Sequence, residues 1–313
     1  AFDAFDEFEP DIFCGQTYNL NHSLYKCIKE RPHLKVMMKG SDWGDMQNEI
    51  DPDKYGVLFA NDEEKNLVEK LKEETGKPDF LHIYYHDNWV GKTHNGWEEI
   101  GCRTASIMNG SDIFMYTRGV FQPEYECDVS FVGGYWPYKA QNMDRYLMPL
   151  AHPVGKYNVK FFGNQGWPGA HYMGWISDEQ VKHLLCSSKI CPNISEPHAT
   201  DFCFDINERT FKILSNKAFC ISDHVQSMVE DVYTNDEVVF AKTPEEFHEL
   251  VDHFVKYPDE RIPYIKRGYQ TVMNNHTYFH RVSKMLHEFG LEDESERCLQ
   301  VYEEVKKMLD IEV

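Results

Sequence analysis

Arg209 stands in the run Asp205-Ile-Asn-Glu-Arg-Thr-Phe-Lys-Ile-Leu-Ser215, a pattern that can hold a phosphate. Asn207 can cap a helix, Glu208 suits its first turn, and Phe211, Ile213 and Leu214 form an apolar face. A guanidinium beside the N–H groups of a helix start offers an anion two kinds of donor. The plain alternative for Arg209 is a surface ion pair with Glu208 or Asp205. Gly133-Gly134 follows an apolar run and allows close backbone approach, with Lys139 in reach of the same phosphates or simply solvated. His86-Asp87 follows a second apolar run and can supply a general base. His198, in a polar loop upstream of Arg209, can touch a sugar or a phosphate. For each histidine the alternative is a hydrogen-bonded structural role. Asp42-Trp43 lies in a third such loop. The Asp42/Asp45 and Asp51/Asp53 spacings read as polar loops, so no metal site is expected. Gly163-Asn-Gln-Gly-Trp-Pro-Gly169 is GxxGxxG rather than the dinucleotide fingerprint, and neither a Walker loop nor a GxSxG elbow occurs.

These loops need a scaffold of alternating strands and helices. A short acidic helix precedes a strand at 11–14. Then come a helix at 20–31, strands at 34–38 and 55–59, a helix at 62–75, and strands at 80–85, 104–108 and 112–116. Residues 119–126 read as an interdomain connection. A second series follows: strand 129–132, helix 143–151, strands 158–162 and 171–176, helix 178–185 capped by Ser177, and strand 189–194. The Arg209 helix, strands at 218–221 and 238–240, helix 244–257 and two more helices complete the chain. Alternation of this kind predicts parallel βαβ units, with ligands beyond the carboxyl ends of the strands.

The 313 residues exceed one typical core. Thirty-two basic against 52 acidic side chains give a net charge of -20. That opposes non-specific nucleic-acid or anionic-membrane binding and leaves only a locally basic cleft as a route to either. No apolar run approaches the ~18 residues of a membrane span. The nine cysteines include no CxxC pair, which predicts free thiols, no structural zinc and a cytoplasmic location.

Six segments occur in an order and spacing that resemble one enzyme group. They are Val129-Ser-Phe-Val-Gly-Gly134, Val159-Lys-Phe-Phe-Gly163, Tyr172-Met-Gly-Trp-Ile-Ser177, Lys189-Ile-Cys-Pro-Asn-Ile194, Asn207-Glu-Arg-Thr-Phe211 and His276-Thr-Tyr-Phe-His-Arg281. Over about 129–286 the chain resembles GT-B glycosyltransferases, and more closely the group of the spore-maturation protein CgeB and related group 1 enzymes. The resemblance implies an α/β fold of two Rossmann-like doubly wound domains facing a cleft. Residues 1–122 would be the acceptor-side domain and 123–270 the donor domain. Helices in 271–313 would return toward the first domain, which is short for the fold and is expected to begin before residue 1.

The partners so implied are a nucleotide-sugar donor and a glycan, protein or small-molecule acceptor, with no cofactor and no metal. Gly133, Gly134, Lys139, Gly163, Asn207, Glu208, Arg209 and Lys212 would hold the donor, with Gly174 and Trp175 at its base. Asp42 and Trp43 would meet the acceptor, and His86, Asp87 or His198 would serve catalysis. Lys212 stands where related enzymes often carry a ribose-binding Glu. A lysine accepts no hydrogen bond, so Glu208 or a loop acid would take that role. Two rival readings are a nicotinamide-dependent oxidoreductase, which lacks its fingerprint here, and a non-catalytic nucleotide- or sugar-binding module.

Overall fold

The structure is a computed structural model that describes residues 2–49, 59–202 and 204–313. The chain forms two compact units. The first comprises Ala1–Met108 and Lys284–Ser295; the second comprises Asn109–Ser283 and Glu296–Val313.

In the first unit, β1 (Ile12–Gln16), β2 (Lys35–Lys39), β3 (Phe80–Ile83) and β4 (Thr104–Ser106) form a parallel sheet in that order. Helices α1 (Phe2–Phe8), α2 (His22–Lys29), α3 (Asp62–Thr75), α4 (Asp87–Thr93) and α5 (Asn95–Glu99) accompany it. Local signals set the helix ends. Asn21 accepts from the backbone of Ser23 and Leu24, Asn61 accepts from Glu64 N, and Gly76 closes α3 at φ 73°. The sheet is apolar on both faces, as parallel strands require. Val36, Met38 and Leu81 pack with Ile28, Val68, Leu71 and Trp97. Met37, Phe80 and Ala105 pack instead with Phe289.

In the second unit, β5 (Cys127–Val132), β6 (Val159–Phe162), β7 (Ser188–Asn193), β8 (Cys220–Asp223) and β9 (Val239–Ala241) form a parallel sheet of order β6-β5-β7-β8-β9. This is the 2-1-3-4-5 doubly wound order, whose switch point lies between β5 and β7. Its helices are α6 (Pro137–Tyr146), α7 (Asp178–Ser187), α8 (Pro197–Phe202), α9 (Arg209–Ser215), α10 (Pro244–Lys256), α11 (Ile262–Asn275), α12 (Tyr278–Glu288) and α13 (Glu292–Met308). Val129, Phe131, Phe161, Ile190 and Ile221 of the strands meet Met143, Leu147 and Phe247 in one core. Residues of α12 belong to the second unit up to Ser283 and to the first from Lys284.

Several expectations are corrected. Residues 112–116 form no strand: the Asp112 carboxylate accepts from the N–H of Phe114 and Met115, which curls the chain into a turn. The chain passes between units at 108/109, ahead of the expected connection. Ser111 and Gly119 are already tied to the second unit, through His276 O, Ser215 Oγ and Asn216 Oδ1. Residues 171–176 add one bridge, Phe161 to Tyr172, rather than a strand. The helix placed at 143–151 starts at Pro137, a favoured first position, and ends in a 3₁₀ turn, Met148–Ala151. Residues 86–99 hold two short helices, and three rather than two helices follow α10. Most of the expected 55–59 strand, the pair Asp51/Asp53, and Cys203 lie outside the described residues; Phe59 itself bridges Asp42.

Candidate active site

The switch point is where the sequence places its glycines. β5 ends in Gly133-Gly134, and β6 ends in Gly163. A Cβ on Gly163 would sit 2.3 Å from the Gly133 carbonyl oxygen, so only glycine permits this approach. The turns are pinned by Trp167 Nε1 donating to Gly133 O at 2.8 Å and by Tyr172 OH donating to Gly163 O at 2.9 Å.

Arg209 begins α9 and is half-buried between the ends of β5 and β7. Its Nε donates to Val132 O at 3.4 Å, and its Nη1 donates to Asn193 Oδ1 at 3.3 Å and Ile194 O at 3.2 Å. The guanidinium carbon lies 4.4 Å from the Phe131 ring centroid. Every partner is neutral. Among the described residues no carboxylate forms an ion pair with Arg209, and Nη2, beside Gly133, makes no hydrogen bond. Burial pulls its pKa below the ordinary value, and the more distant charges of Asp223 and Glu196 oppose that.

A buried polar network holds this arrangement. Asn193 Nδ2 donates to Ser222 Oγ at 2.9 Å, and Ser195 donates to Asp223 through its N–H at 2.9 Å and its hydroxyl at 3.0 Å. Burial lifts the Asp223 carboxyl to about 6. Asn193, Ser195 and Asp223 escaped the sequence reading. Their one signal is polarity at the ends of otherwise apolar strands.

Asn207 caps the helix start as expected: its Oδ1 accepts from Arg209 N at 3.0 Å, and Glu208, at φ -68° and ψ -22°, already has helical dihedrals. That bond occupies an N–H the sequence reading left open, and α9 is only seven residues long. The ion pair weighed as the alternative for Arg209 does not form among the described residues. Glu208 pairs with Lys212 at 2.7 Å and accepts from Tyr278 OH at 2.8 Å, while Asp205 pairs with His198 Nε2 at 2.8 Å.

Glu208, Arg209 and Lys212 line a cavity of about 210 Å³ with Tyr116 and Asp178. Lys212 Nζ lies 4.9 Å from the Tyr116 ring centroid, and Tyr116 OH donates to Asp178 at 3.2 Å. Burial and the Glu208 carboxylate push the Tyr278 phenol up, so it stays a donor.

The remaining candidates separate. Lys139 pairs with Glu196 at 2.5 Å, and His198 contacts Tyr138 OH at 3.2 Å as well as Asp205. Gly174 adopts φ 96° and its carbonyl accepts from Gly163 N at 3.1 Å; Trp175 beside it is 70% exposed. In the first unit, His86 caps α4 by accepting from Asn88 N at 3.3 Å, and Asp87 pairs with Lys284 at 2.9 Å. Trp43 is partly buried and packs edge-on against Trp97 with centroids 5.0 Å apart. Asp42 lines a cavity.

A family profile described as glycosyl transferase-like matches residues 124–287, more than half of the chain. The chain belongs to that family. The match contains the whole β5–β9 sheet and the Arg209 site.

Solved structures support the GT-B fold at low identity. A sucrose-phosphate synthase from Thermosynechococcus elongatus aligns with TM-score 0.62 and 9% identity, over 92% of this chain and 75% of that one. A glycosyltransferase from Rickettsia africae ESF-5 aligns with TM-score 0.56 and 12% identity, over 99% and 80%. Anabaena Alr3699/HepE, solved with UDP and glucose, aligns with TM-score 0.55 and 10% identity, over 96% and 81%. No curated protein sequence matches the chain. The protein is thus α/β with two Rossmann-like parallel sheets in a GT-B fold. Among the described residues no helix is long and apolar enough to cross a membrane.

Proposed function

We propose that this glycosyl transferase-like protein moves a sugar from a nucleoside-diphosphate donor to an acceptor hydroxyl, with Arg209 receiving the diphosphate. One observation carries the reading. A desolvated guanidinium sits at the switch point of a doubly wound sheet, is fixed by neutral oxygens, and has no carboxylate paired with it among the described residues. A desolvated cation in that state is stabilised by an anion that arrives from outside. A Cβ on Gly133 would stand 3.4 Å from Nη2, so glycine there keeps the space beside that nitrogen open. As the sugar–phosphate bond breaks, negative charge grows on the leaving diphosphate, and a preorganised cation stabilises that state most.

Lys212 and Glu208 are assigned to the nucleoside side, since they line the adjoining cavity. Lys139 and His198 are assigned to the sugar side through the loop at 195–205. With Arg209 as the resident cation, no metal is assigned to the chemistry, and the eight described thiols, all unpaired, fit a cytoplasmic enzyme.

HepE was solved with UDP, and T4 phage BGT with UDP and Mn²⁺, so UDP is the first probe. Calorimetric titration with UDP, GDP, dTDP and NAD, each with EDTA and with Mn²⁺, tests the reading. Binding of one nucleoside diphosphate, equal in EDTA and Mn²⁺, is expected. Binding of NAD alone, or of none, would overturn it; binding only with Mn²⁺ would overturn metal independence.

A further inference from the structure

From Arg209 the polar groups of the adjoining cavity run outward as a chain of contacts. Lys212 stands about one turn further along α9 and pairs with Glu208 at 2.7 Å. Its Nζ lies 4.9 Å from the Tyr116 ring centroid, and Tyr116 OH donates to Asp178 Oδ1 at 3.2 Å. All of these residues line the same cavity of about 210 Å³. With the diphosphate on Arg209, a nucleotide laid along this series sets its ribose at Glu208 and Lys212. Its base then falls at Tyr116 and Asp178.

Asp178 is the first residue of α7, whose start is closed by the Ser177–Gln180 capping box. The positive end of that ten-residue helix favours an ionised carboxylate. The buried Tyr116 phenol holds one oxygen in place. Burial and the Asp178 charge push the phenol up, so it stays a donor. Among the described residues, Asp178 Oδ2 accepts no hydrogen bond, and no lysine or arginine pairs with Asp178. Val181 and Ile213, both buried, add apolar walls against which a flat ring can lie.

We infer that Asp178 selects a guanosine-diphosphate sugar as the donor, its carboxylate accepting from N1–H and the N2 amino group of the base. The inference rests on the diphosphate reading of Arg209 and names the nucleoside that goes with it. A carboxylate accepts and never donates, and each oxygen has two acceptor sites, so Oδ1 keeps one beside the Tyr116 bond. Guanine is the common base that sets two donors side by side on one edge, which gives both oxygens a partner. Adenine and cytosine set a single amino group beside a ring-nitrogen lone pair, which the carboxylate repels. Uracil and thymine set one N–H between two carbonyls, so the second carboxylate oxygen meets another acceptor. A site built for particular hydrogen bonds rejects ligands that leave its charged group unpaired.

Calorimetry on the full chain with GDP, IDP, XDP, UDP, ADP and CDP tests this. GDP should bind most tightly. IDP keeps N1–H and lacks the amino group, and should be weaker by about tenfold. UDP, ADP and CDP keep the diphosphate and ribose, and should be weaker by about tenfold or more. Asp178→Asn puts an amide donor where an acceptor stood. It should lose GDP by about tenfold or more and gain XDP, which carries an oxygen at C2 in place of the amino group. A purely structural role for Asp178 would weaken both ligands alike. The GDP–IDP comparison needs no variant and keeps the test decisive if Asp178→Asn fails to fold. GDP no tighter than UDP, GDP equal to IDP, or an Asp178→Asn variant that weakens GDP and XDP alike would each overturn the inference and leave the transferase reading standing. Silence from every nucleoside diphosphate would overturn both.

Discussion

Replacing Arg209 by methionine separates binding from folding, because the structure assigns the two effects different sizes. Binding loses a charge-assisted contact, worth ~1.5–3 kcal/mol, which corresponds to roughly a 10- to 150-fold rise in Kd. The upper half of that range is expected. Nε and Nη1 are already fixed by Val132, Asn193 and Ile194, so little side-chain entropy remains to be lost when the diphosphate binds. Folding loses three bonds of 3.2–3.4 Å to neutral oxygens, each ~1 kcal/mol or less. Relief of a desolvated charge and retention of the apolar stem over Phe131 offset that loss. Net stability should therefore move by about 1 kcal/mol or less, far less than ligand affinity moves. UDP calorimetry, with urea unfolding of the free protein, reads both numbers. Unchanged UDP affinity in Arg209→Met would refute the phosphate assignment. A collapse of the free protein would show that the guanidinium is a structural element.

Further outcomes follow from particular contacts. Asp223 has a folded pKa of about 6 against an ordinary 3.8. Because the fold favours the protonated acid, its contribution is fully present below about pH 4. It declines as pH rises to about 6 and is flat above, on the order of 2–3 kcal/mol in all. Urea unfolding at pH 4.5, 6 and 7.5 should show Asp223→Asn lacking that decline; parallel curves would contradict it. Gly163→Ala forces a Cβ onto the Gly133 carbonyl, so both its melting temperature and its UDP affinity should drop. Lys212→Glu sets two carboxylates one helical turn apart and should weaken the fold by about 0.5 kcal/mol or less; a gain in UDP affinity from it would show that the usual ribose contact had been restored. Phe289→Ala strips the ring that lies 4.8 Å from Phe80 and should destabilise the first unit by ~3–5 kcal/mol, seen as early loss of amide protection in β2 and β3.

How much of this was legible depended on the range of the interaction. The strands of both sheets, Ser177 before α7 and the start of α10 at Pro244 are local signals, and they stand in the sequence unaided. The ends of β5 and β6 were legible too, since the pair Gly133-Gly134 and the single Gly163 follow directly on apolar strands. Arg209 was visible as a cation near a helix, but its partners were not. Val132, Asn193 and Ile194 are distant in sequence and become neighbours only through strand order. For His86 the sequence leaves the role open, because a histidine after an apolar strand looks the same whether it caps a helix or faces a ligand, and the cap bond at Nδ1 is a tertiary detail. The packing of Trp43 was hidden likewise, its partner Trp97 being far along the chain. Glu64 was hidden inside the acidic run Asp62-Glu63-Glu64, whose pattern reads as a solvated helix start. Only the tertiary fold turns one of those three acids inward.

The assignment of Lys284–Ser295 to the first unit has a consequence for biosynthesis. On the ribosome, residues up to 108 emerge early and can pair their strands. The face formed by Met37, Phe80 and Ala105 then stays bare until Phe289 is made, after more than half of the chain has been translated. Closing that face is the most non-local event in the first unit, and non-local closures are slow and leave apolar surface open to wrong partners. The second unit has its entire sheet in hand well before that point. Maturation should therefore run against the order of synthesis, with the amino-terminal sheet held half-dressed and the downstream sheet consolidating first.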